Sequence, residues 1–214
     1  MHFAQKHRSL LILSISSLTI FLCLAIIRGV GVTPFDTQAL TFVQGFHSEL
    51  STDIMVGVSD AMNPFVLLVF SLLFSSYLIV KKNTGWALFF LLSLACALVS
   101  AVFLKDLFQM MRPVEQVIPE IGWGFPSSHA TGVAVFFFSL FYAIDRKIHD
   151  SAVVLLWFLV SVGLTLGTGL SRVYLGVHFA TDVLAGFALG TFWVTVSIMI
   201  FEKIHEHTAQ TTTS

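Results

Sequence analysis

Six long stretches without a charged residue constrain the fold of this 214-residue chain more than any other feature. They cover residues 9–27, 61–80, 83–104, 130–144, 151–171 and 183–201. A helix rises ~1.5 Å per residue, so about 20 apolar residues cross a hydrocarbon core of ~30 Å. Five of the six stretches contain 19 to 22 residues and are long enough as they stand. We therefore predict an all-α integral membrane bundle of six transmembrane helices, forming a single domain over residues 1–214.

The fourth stretch, with 15 residues, is too short to span. It reaches the required length if its helix begins near residue 126, which extends the predicted span to 126–144. His129 is then expected at the membrane surface or slightly inside it. The first stretch lacks a small-x-small cleavage site, so we expect a retained span and not a signal peptide.

The composition restricts the partners of such a chain. With 11 Lys+Arg against 12 Asp+Glu, there is no basic excess to hold nucleic acid. The two cysteines, Cys23 and Cys96, fall inside predicted spans and form no zinc-binding pattern. We expect the bilayer and its lipids as partners, no metal and no cofactor; nothing in the sequence indicates an oligomeric state.

The loops between the spans predict the orientation. One side carries seven basic residues: Lys6, Arg8, Lys81, Lys82, Arg146, Lys147 and Lys203. The other side carries four: Arg28, Lys105, Arg112 and Arg172. Short loops rich in Lys and Arg stay in the cytosol, so we predict that both termini are cytosolic. Residues 105–129 and 171–182 are then active-site loops on the outer side.

The first outer segment, residues 28–60, is too polar to span. Within it Leu40, Val43, Phe46 and Leu50 recur at helical spacing. This spacing predicts a short amphipathic surface helix, either with its apolar face among the lipid headgroups or as a cap over the bundle. We favour the cap.

Three polar clusters meet at the predicted outer surface. The third span ends in Lys105 and Arg112-Pro113, and the two cations lie seven residues apart on one helix face. The fourth span begins with the sequence Pro126-Ser127-Ser128-His129, where free backbone N–H groups at a helix start favour an anion. The last cluster joins spans five and six and contains Ser171, Arg172, His178 and Asp182.

Such an arrangement fits a phosphate monoester. One lysine, two arginines and helix N–H donors can hold its oxygens. On a helix, Asp182 faces His178 four residues away and can accept a hydrogen bond from one ring nitrogen. His178 is then the candidate nucleophile toward phosphorus, and His129 the candidate acid for the departing oxygen.

These clusters resemble the three-part motif of the phosphatidic acid phosphatase type 2 superfamily, the lipid phosphate phosphatases: K-x6-R-P, P-S-G-H and S-R-x5-H-x3-D. The match runs from Lys105 to Asp182, and the six-span pattern extends it to nearly the whole chain. Ser128 departs from the motif, because the family usually has glycine there. Lipid phosphatases, glucose-6-phosphatases, lipid phosphotransferases and vanadium haloperoxidases share the motif, which therefore indicates a site more than a substrate.

The resemblance implies a role for each matching residue. His178 becomes a phosphohistidine, Asp182 orients it, and His129 is the general acid and then the general base for water. The phosphoryl oxygens are held by Lys105, Arg112, Ser127 and Arg172. Ser128 is expected to donate through its backbone N–H.

The predicted function is metal-independent hydrolysis of a terminal lipid phosphate at the outer face of a bacterial cytoplasmic membrane. The short loops are similar to those of bacterial members that act on undecaprenyl diphosphate, phosphatidylglycerol phosphate or phosphatidic acid. Two alternatives stay open. A phosphotransferase would use a sugar or lipid hydroxyl in place of water, and a transporter would bind headgroups without chemistry; both histidines and Asp182 argue against the transporter.

Overall fold

The structure, a computed structural model, describes residues 2–211 and the side chains of residues 7–205. It contains eight helices: α1 (His2–Val30), α2 (Pro34–Gln44), α3 (Glu49–Ala61), α4 (Pro64–Val80), α5 (Thr84–Phe108), α6 (Ser128–Lys147), α7 (Ser151–Tyr174) and α8 (Ala180–Thr211). No strand occurs in this part of the chain. The predicted all-α membrane bundle is confirmed. Met1 and residues 212–214 of the predicted domain, and the Lys6 side chain counted for orientation, lie outside what is described.

Five helices are long and apolar enough to cross a membrane: His7–Val30, Thr84–Phe108, Ser128–Lys147, Ser151–Tyr174 and Ala180–His205. Helices α3 and α4 are bent by 43° at the break between them and provide a sixth span if they are counted as one. Pro64 opens α4 at this bend, where Asn63 accepts a hydrogen bond from the Phe65 N–H over 2.9 Å. Proline is favoured at a first helical position because an N–H there would have no intrahelical acceptor, so its absence loses no hydrogen bond.

The segment predicted as one amphipathic helix forms two helices, α2 and α3. A turn over residues 45–48 separates them, and capping boxes at Thr33 and Ser48 begin each one. The predicted apolar face is divided by this turn: Val43 is buried, whereas Phe46 is 62% exposed and Leu50 is 72% exposed. Helix α2 packs on α7 and α8, and helix α3 packs on α7, so the segment caps the bundle.

Two glycines allow α6 and α8 to approach closely. A Cβ atom on Gly186 would lie 2.7 Å from the Ser127 carbonyl oxygen, and one on Gly190 would lie 2.8 Å from that of Thr131. Small residues four apart are the usual means of bringing membrane helices together. This contact sets the start of α6 against the start of α8.

Helix α1 packs along α8. Phe21 and Ala25 of α1 form a buried cluster with Ala185, Ala188 and Leu189 of α8. Because this contact runs toward the end of α1, Arg28 is carried to the start of α8. We call the end of the bundle that holds residues 109–127 and 175–179 the site end.

Candidate active site

The site end brings the three sequence clusters into contact. Arg112 hydrogen-bonds His178, and His178 lies beside Asp182. The Ser127 N–H donates to the Asp182 carbonyl oxygen over 3.0 Å, which ties the start of α6 to the start of α8. Residues far apart in sequence therefore surround one small volume.

The protonation of His178 follows from its two neighbours. Nη1 of Arg112 lies 3.2 Å from Nε2 of His178, and a guanidinium can only donate. Nε2 must therefore carry the lone pair. The ring proton is left on Nδ1, which lies 3.5 Å from Oδ2 of Asp182. This is the tautomer that a nucleophilic Nε2 requires.

The surroundings of His178 also favour its neutral form. Its side chain is buried, and burial followed by the charges of Lys105, Arg112 and Arg172 lowers the pKa of His178 well below its ordinary value. A histidine with a lowered pKa is a free base at neutral pH. The lone pair on Nε2 is then available without prior loss of a proton.

Backbone carbonyl groups hold two of the cations in place. Nζ of Lys105 donates to the carbonyl oxygens of Trp123 and Gly124 over 2.8 and 3.2 Å. Arg112 donates from Nε to the Gly122 carbonyl over 3.0 Å and from Nη1 to the Val177 carbonyl over 2.8 Å. The ordered loop over residues 109–127 thus fixes both side chains beside His178.

Arg172 is buried at the end of α7 and reaches toward α3. It donates from Nη1 to the Ser59 hydroxyl and from Nη2 to Glu120. Its Nε has no hydrogen-bond partner among the described residues. A buried donor of this kind is suited to an incoming oxygen atom.

Glu120 bridges the two arginines. Its Oε2 lies 3.0 Å from Nη2 of Arg112, and its Oε1 accepts from Arg172. Burial alone would raise the pKa of Glu120, but the charges of Arg172 and Arg112 and the Arg172 hydrogen bond bring it below its ordinary value. The carboxylate is therefore ionised, and it engages the same guanidinium groups that a phosphate would need.

The start of α6 provides the other predicted residues. Ser127 is the N-cap, and its hydroxyl accepts from the Ala130 N–H over 3.5 Å. Ser128 opens the helix without a positive φ, since Lys82 and Gln109 are the only non-glycine residues with one in the described chain. Serine in place of the family's glycine thus causes no backbone strain here.

His129 lies in the first turn of α6 and is buried. The charges of Arg172, Arg112 and Lys105 all act on it, so it shares their environment. Both predicted histidines are therefore at the site end, among the same three cations.

Three residues at the site were not predicted: Arg28, Ser59 and Glu120. Arg28 donates from Nε to Oδ1 of Asp182 over 3.2 Å. A sequence signal existed for Arg28, since it is the one basic residue of the predicted outer set outside the three clusters. Ser59 and Glu120 carried no such signal, because each becomes relevant through a contact across the fold.

Among the described residues, no group of three or more His, Cys, Asp or Glu side chains is arranged to hold a metal ion.

A cavity of about 470 Å³ opens beside Arg112, between the end of α1 and residues 108–114. Its lining includes Arg28, Phe108, Met110, Val114 and Phe179. The space next to the arginine is thus bounded largely by apolar side chains.

Residues 86–206 match the model of the PAP2 superfamily, which is more than half of the chain. The chain is 28% identical over 159 residues to phosphatidylglycerophosphatase B of Bacillus subtilis, a match that covers 71% of this chain and 74% of that protein. It is 30% identical over 183 residues to a lipid A 4'-phosphatase of Bacteroides thetaiotaomicron, with 75% of this chain and 74% of that protein covered.

Two solved structures share the fold. The crystal structure of a transmembrane PAP2-type phosphatidylglycerolphosphate phosphatase from Bacillus subtilis has a TM-score of 0.81 at 24% identity and covers 89% of this chain and 96% of that one. The crystal structure of LpxE from Aquifex aeolicus has a TM-score of 0.59 at 19% identity and covers 76% of this chain and 94% of that one. At these identities the likeness concerns the fold.

Proposed function

The chain belongs to the PAP2 superfamily and is a membrane phosphatase, and we propose that it removes the terminal phosphate of a lipid monophosphate or diphosphate through a phosphohistidine intermediate. The observation that carries this proposal is the position of His178 between Arg112 and Asp182, from which its tautomer is inferred. Its Nε2 holds a lone pair within a group of three cations, and its Nδ1 proton lies toward a carboxylate. A site for headgroup binding alone would need only the cations.

In the first step the phosphoryl oxygens bind Lys105, Arg112 and Arg172, with N–H donors from the start of α6. Nη1 of Arg112 leaves Nε2 of His178 and donates to an oxygen of the substrate. Nε2 then attacks phosphorus in line, and the bond from phosphorus to the lipid oxygen breaks. The negative charge of the bound phosphate offsets the three cations and lets His129 hold a second ring proton. His129 gives this proton to the leaving oxygen, so the lipid leaves as a neutral hydroxyl, or as a phosphate when a diphosphate is cleaved.

In the second step a water molecule attacks phosphorus of the phosphohistidine. His129, now neutral, takes the proton of the water. The nitrogen–phosphorus bond breaks and inorganic phosphate is released. Asp182 supports the positive charge on the imidazole in both steps, as a carboxylate does for a catalytic histidine.

The lipid character of the substrate is supported by two observations. The relatives named above act, by their names, on phosphatidylglycerophosphate and on lipid A. In addition, the cavity of about 470 Å³ beside Arg112 offers apolar walls next to a cation. We propose undecaprenyl diphosphate, phosphatidylglycerol phosphate and phosphatidic acid as the candidate substrates.

We further propose that the site faces outward from a bacterial cytoplasmic membrane and that both termini are cytosolic. The distribution of basic residues supports this orientation. A single cysteine introduced at the exposed Ile121, in a variant without Cys23 and Cys96, should react with a membrane-impermeant maleimide in intact cells. A cysteine at the exposed Lys81 should react only after lysis, and the reverse pattern would invert the orientation.

The function is tested with purified protein in mixed micelles containing each of the three lipids and no acceptor alcohol. We expect release of inorganic phosphate from at least one of them. Dephosphorylation of the lipid only after an acceptor alcohol is added, with the phosphoryl group recovered on that alcohol and not as inorganic phosphate, would identify a phosphotransferase. No reaction under either condition would contradict the catalytic proposal and favour headgroup binding.

A further inference from the structure

Arg28 lies outside the three motifs and yet reaches the centre of the site. It belongs to the last turn of α1 and is only 5% exposed. We propose that Arg28 is a positioning residue for the phosphatase reaction: it holds the Asp182 carboxylate ionised and directs its second oxygen toward His178. This inference rests on the proposed function of the site.

Three contacts from separate elements fix the guanidinium of Arg28. Its Nε donates to Oδ1 of Asp182 over 3.2 Å, and its Nη2 donates to the carbonyl oxygen of Met111 over 2.7 Å. The guanidinium carbon lies 4.5 Å from the centre of the Phe179 ring. Helix α8, the loop over residues 109–127 and the turn over residues 175–179 thus all hold this side chain.

The Asp182 carboxylate uses its two oxygens differently. Oδ1 is occupied by Arg28, whereas Oδ2 accepts the Phe179 N–H over 3.0 Å and lies 3.5 Å from Nδ1 of His178. Contacts on both oxygens leave the carboxylate little freedom to rotate. Without Arg28, rotation would bring Oδ2 out of line with the histidine.

The charge of Arg28 matters as much as its geometry. Asp182 is 0% exposed, and a buried carboxylate without a counter-charge takes up a proton. A protonated Asp182 could donate to His178 in place of accepting. The ring proton would then move to Nε2 and remove the lone pair that attacks phosphorus.

Other charged groups also face Asp182, but each has another partner. Lys105 approaches from α5 and is bound to carbonyl groups, and Arg112 approaches from the loop and is paired with Glu120. Among the described residues, Arg28 is the cation whose side chain hydrogen-bonds the carboxylate directly. Asp182 therefore takes no side-chain hydrogen bond from Lys105 or Arg112 among the described residues, and both cations can turn to a phosphate by exchanging their present partners.

The test uses the full-length protein in detergent, with dioctanoyl phosphatidic acid as substrate. Arg28→Met should lower kcat by about 100-fold, as expected when a group at the reacting centre is misplaced, with KM changed less than threefold. The acid limb of its kcat profile should move to higher pH. Arg28→Lys should have a kcat at least tenfold above that of Arg28→Met. Arg8 is an exposed arginine of the same helix, so Arg8→Met should have the kcat of the unmodified protein.

A double variant separates positioning from general damage. If Arg28 acts through Asp182, Arg28→Met combined with Asp182→Asn should lose no more activity than Asp182→Asn alone. Losses that multiply, or an Arg28→Met protein with normal kcat and pH profile, would overturn the inference. Should Arg28→Met not fold, the comparison of Arg28→Lys alone and with Asp182→Asn decides the question. An unmodified protein that hydrolyses no lipid phosphate would contradict the proposed function instead.

Discussion

Arg112 donates from Nη1 to Nε2 of His178 over 3.2 Å, so the arginine occupies the lone pair that the proposed reaction needs. The two residues therefore cannot keep this contact during catalysis. A phosphoryl oxygen that takes over the Arg112 donor would free Nε2 at the moment when phosphorus is in place. Substrate binding and activation of the nucleophile are thereby joined in one exchange of hydrogen bonds.

The role of His178 can be tested by trapping the intermediate. His178→Asn should reduce turnover by at least about 10³-fold, because asparagine cannot form a phosphorylated nucleophile. The nitrogen–phosphorus bond of phosphohistidine is labile in acid, so the reaction with a ³²P-labelled substrate is quenched in alkaline SDS. The unmodified protein should then carry label and the variant should not. His149→Asn, at an exposed histidine, serves as control and should keep both activity and label. A labelled, active His178→Asn protein would refute the mechanism.

The role of His129 as a general acid can be tested by changing the leaving group of the substrate. His129→Ala removes the proton donor, which typically contributes about 10²- to 10⁴-fold to a rate. The loss should be large for an alkyl phosphate and small for p-nitrophenyl phosphate, whose leaving oxygen needs no proton. Rates of phosphoenzyme formation measured by rapid quench compare the two substrates. Equal slowing for both would argue against an acid role.

The pH profile should reflect the lowered pKa of His178. Burial and the nearby cations lower this pKa below about 6.5, so the active free base persists into mildly acidic solution. Arg112→Leu removes one cation and should raise the pKa, which moves the acid limb of kcat/KM to higher pH. The second ionisation of the substrate, near pH ~6, is the same for both proteins and cancels in the comparison. An acid limb that stays in place or moves to lower pH would contradict this account. Arg146→Leu, at an exposed arginine away from the site, is the control and should leave the profile unchanged.

Glu120 should compete with phosphate for the two arginines. Glu120→Gln keeps the shape of the side chain but removes its charge, so inorganic phosphate should inhibit about tenfold more tightly, which corresponds to ~1.4 kcal/mol. Inhibition constants measured at fixed ionic strength check this expectation. If Glu120 instead serves to orient Arg112 and Arg172, phosphate would bind more weakly to the variant.

The close approach of α6 and α8 predicts that alanine is destabilising at Gly186 but tolerated at Gly163. Gly186→Ala places a Cβ atom 2.7 Å from the Ser127 carbonyl oxygen and 2.8 Å from the Ala130 Cβ atom. Overpacking of this kind costs about 1–3 kcal/mol, so thermal stability in detergent and activity should both fall. Gly163→Ala on α7 meets nothing within 4 Å and should leave both unchanged. Equal stability of the two variants would contradict the close packing.

The sequence predicted the helical membrane bundle because a charged side chain is costly in the hydrocarbon core, so long segments of the chain contain none. It also predicted which motif residues would meet, since Arg112, His178 and Asp182 are in contact. It did not predict the break between α2 and α3. Apolar spacing continues through Phe46 and Leu50, but the Ser48 capping box starts a new helix there.

The unpredicted residues share a different cause. Arg28 and Glu120 act on the site through ion pairs across the fold, one from α1 and one from the loop over residues 109–127. No local period or spacing marks such a partner. The polarity of each residue was visible in the sequence, whereas its neighbour was determined by helix packing.

The contact of Arg28 with Asp182 has a consequence for the making of the protein. It joins α1 to α8, so Arg28 lacks its partner until α8, which contains Asp182, has been made. Hydrolysis in the proposed manner must then wait until all the helices between them have been inserted and α8 has docked against α1. We therefore expect a partly synthesised chain to have no phosphatase activity until α8 has packed against α1.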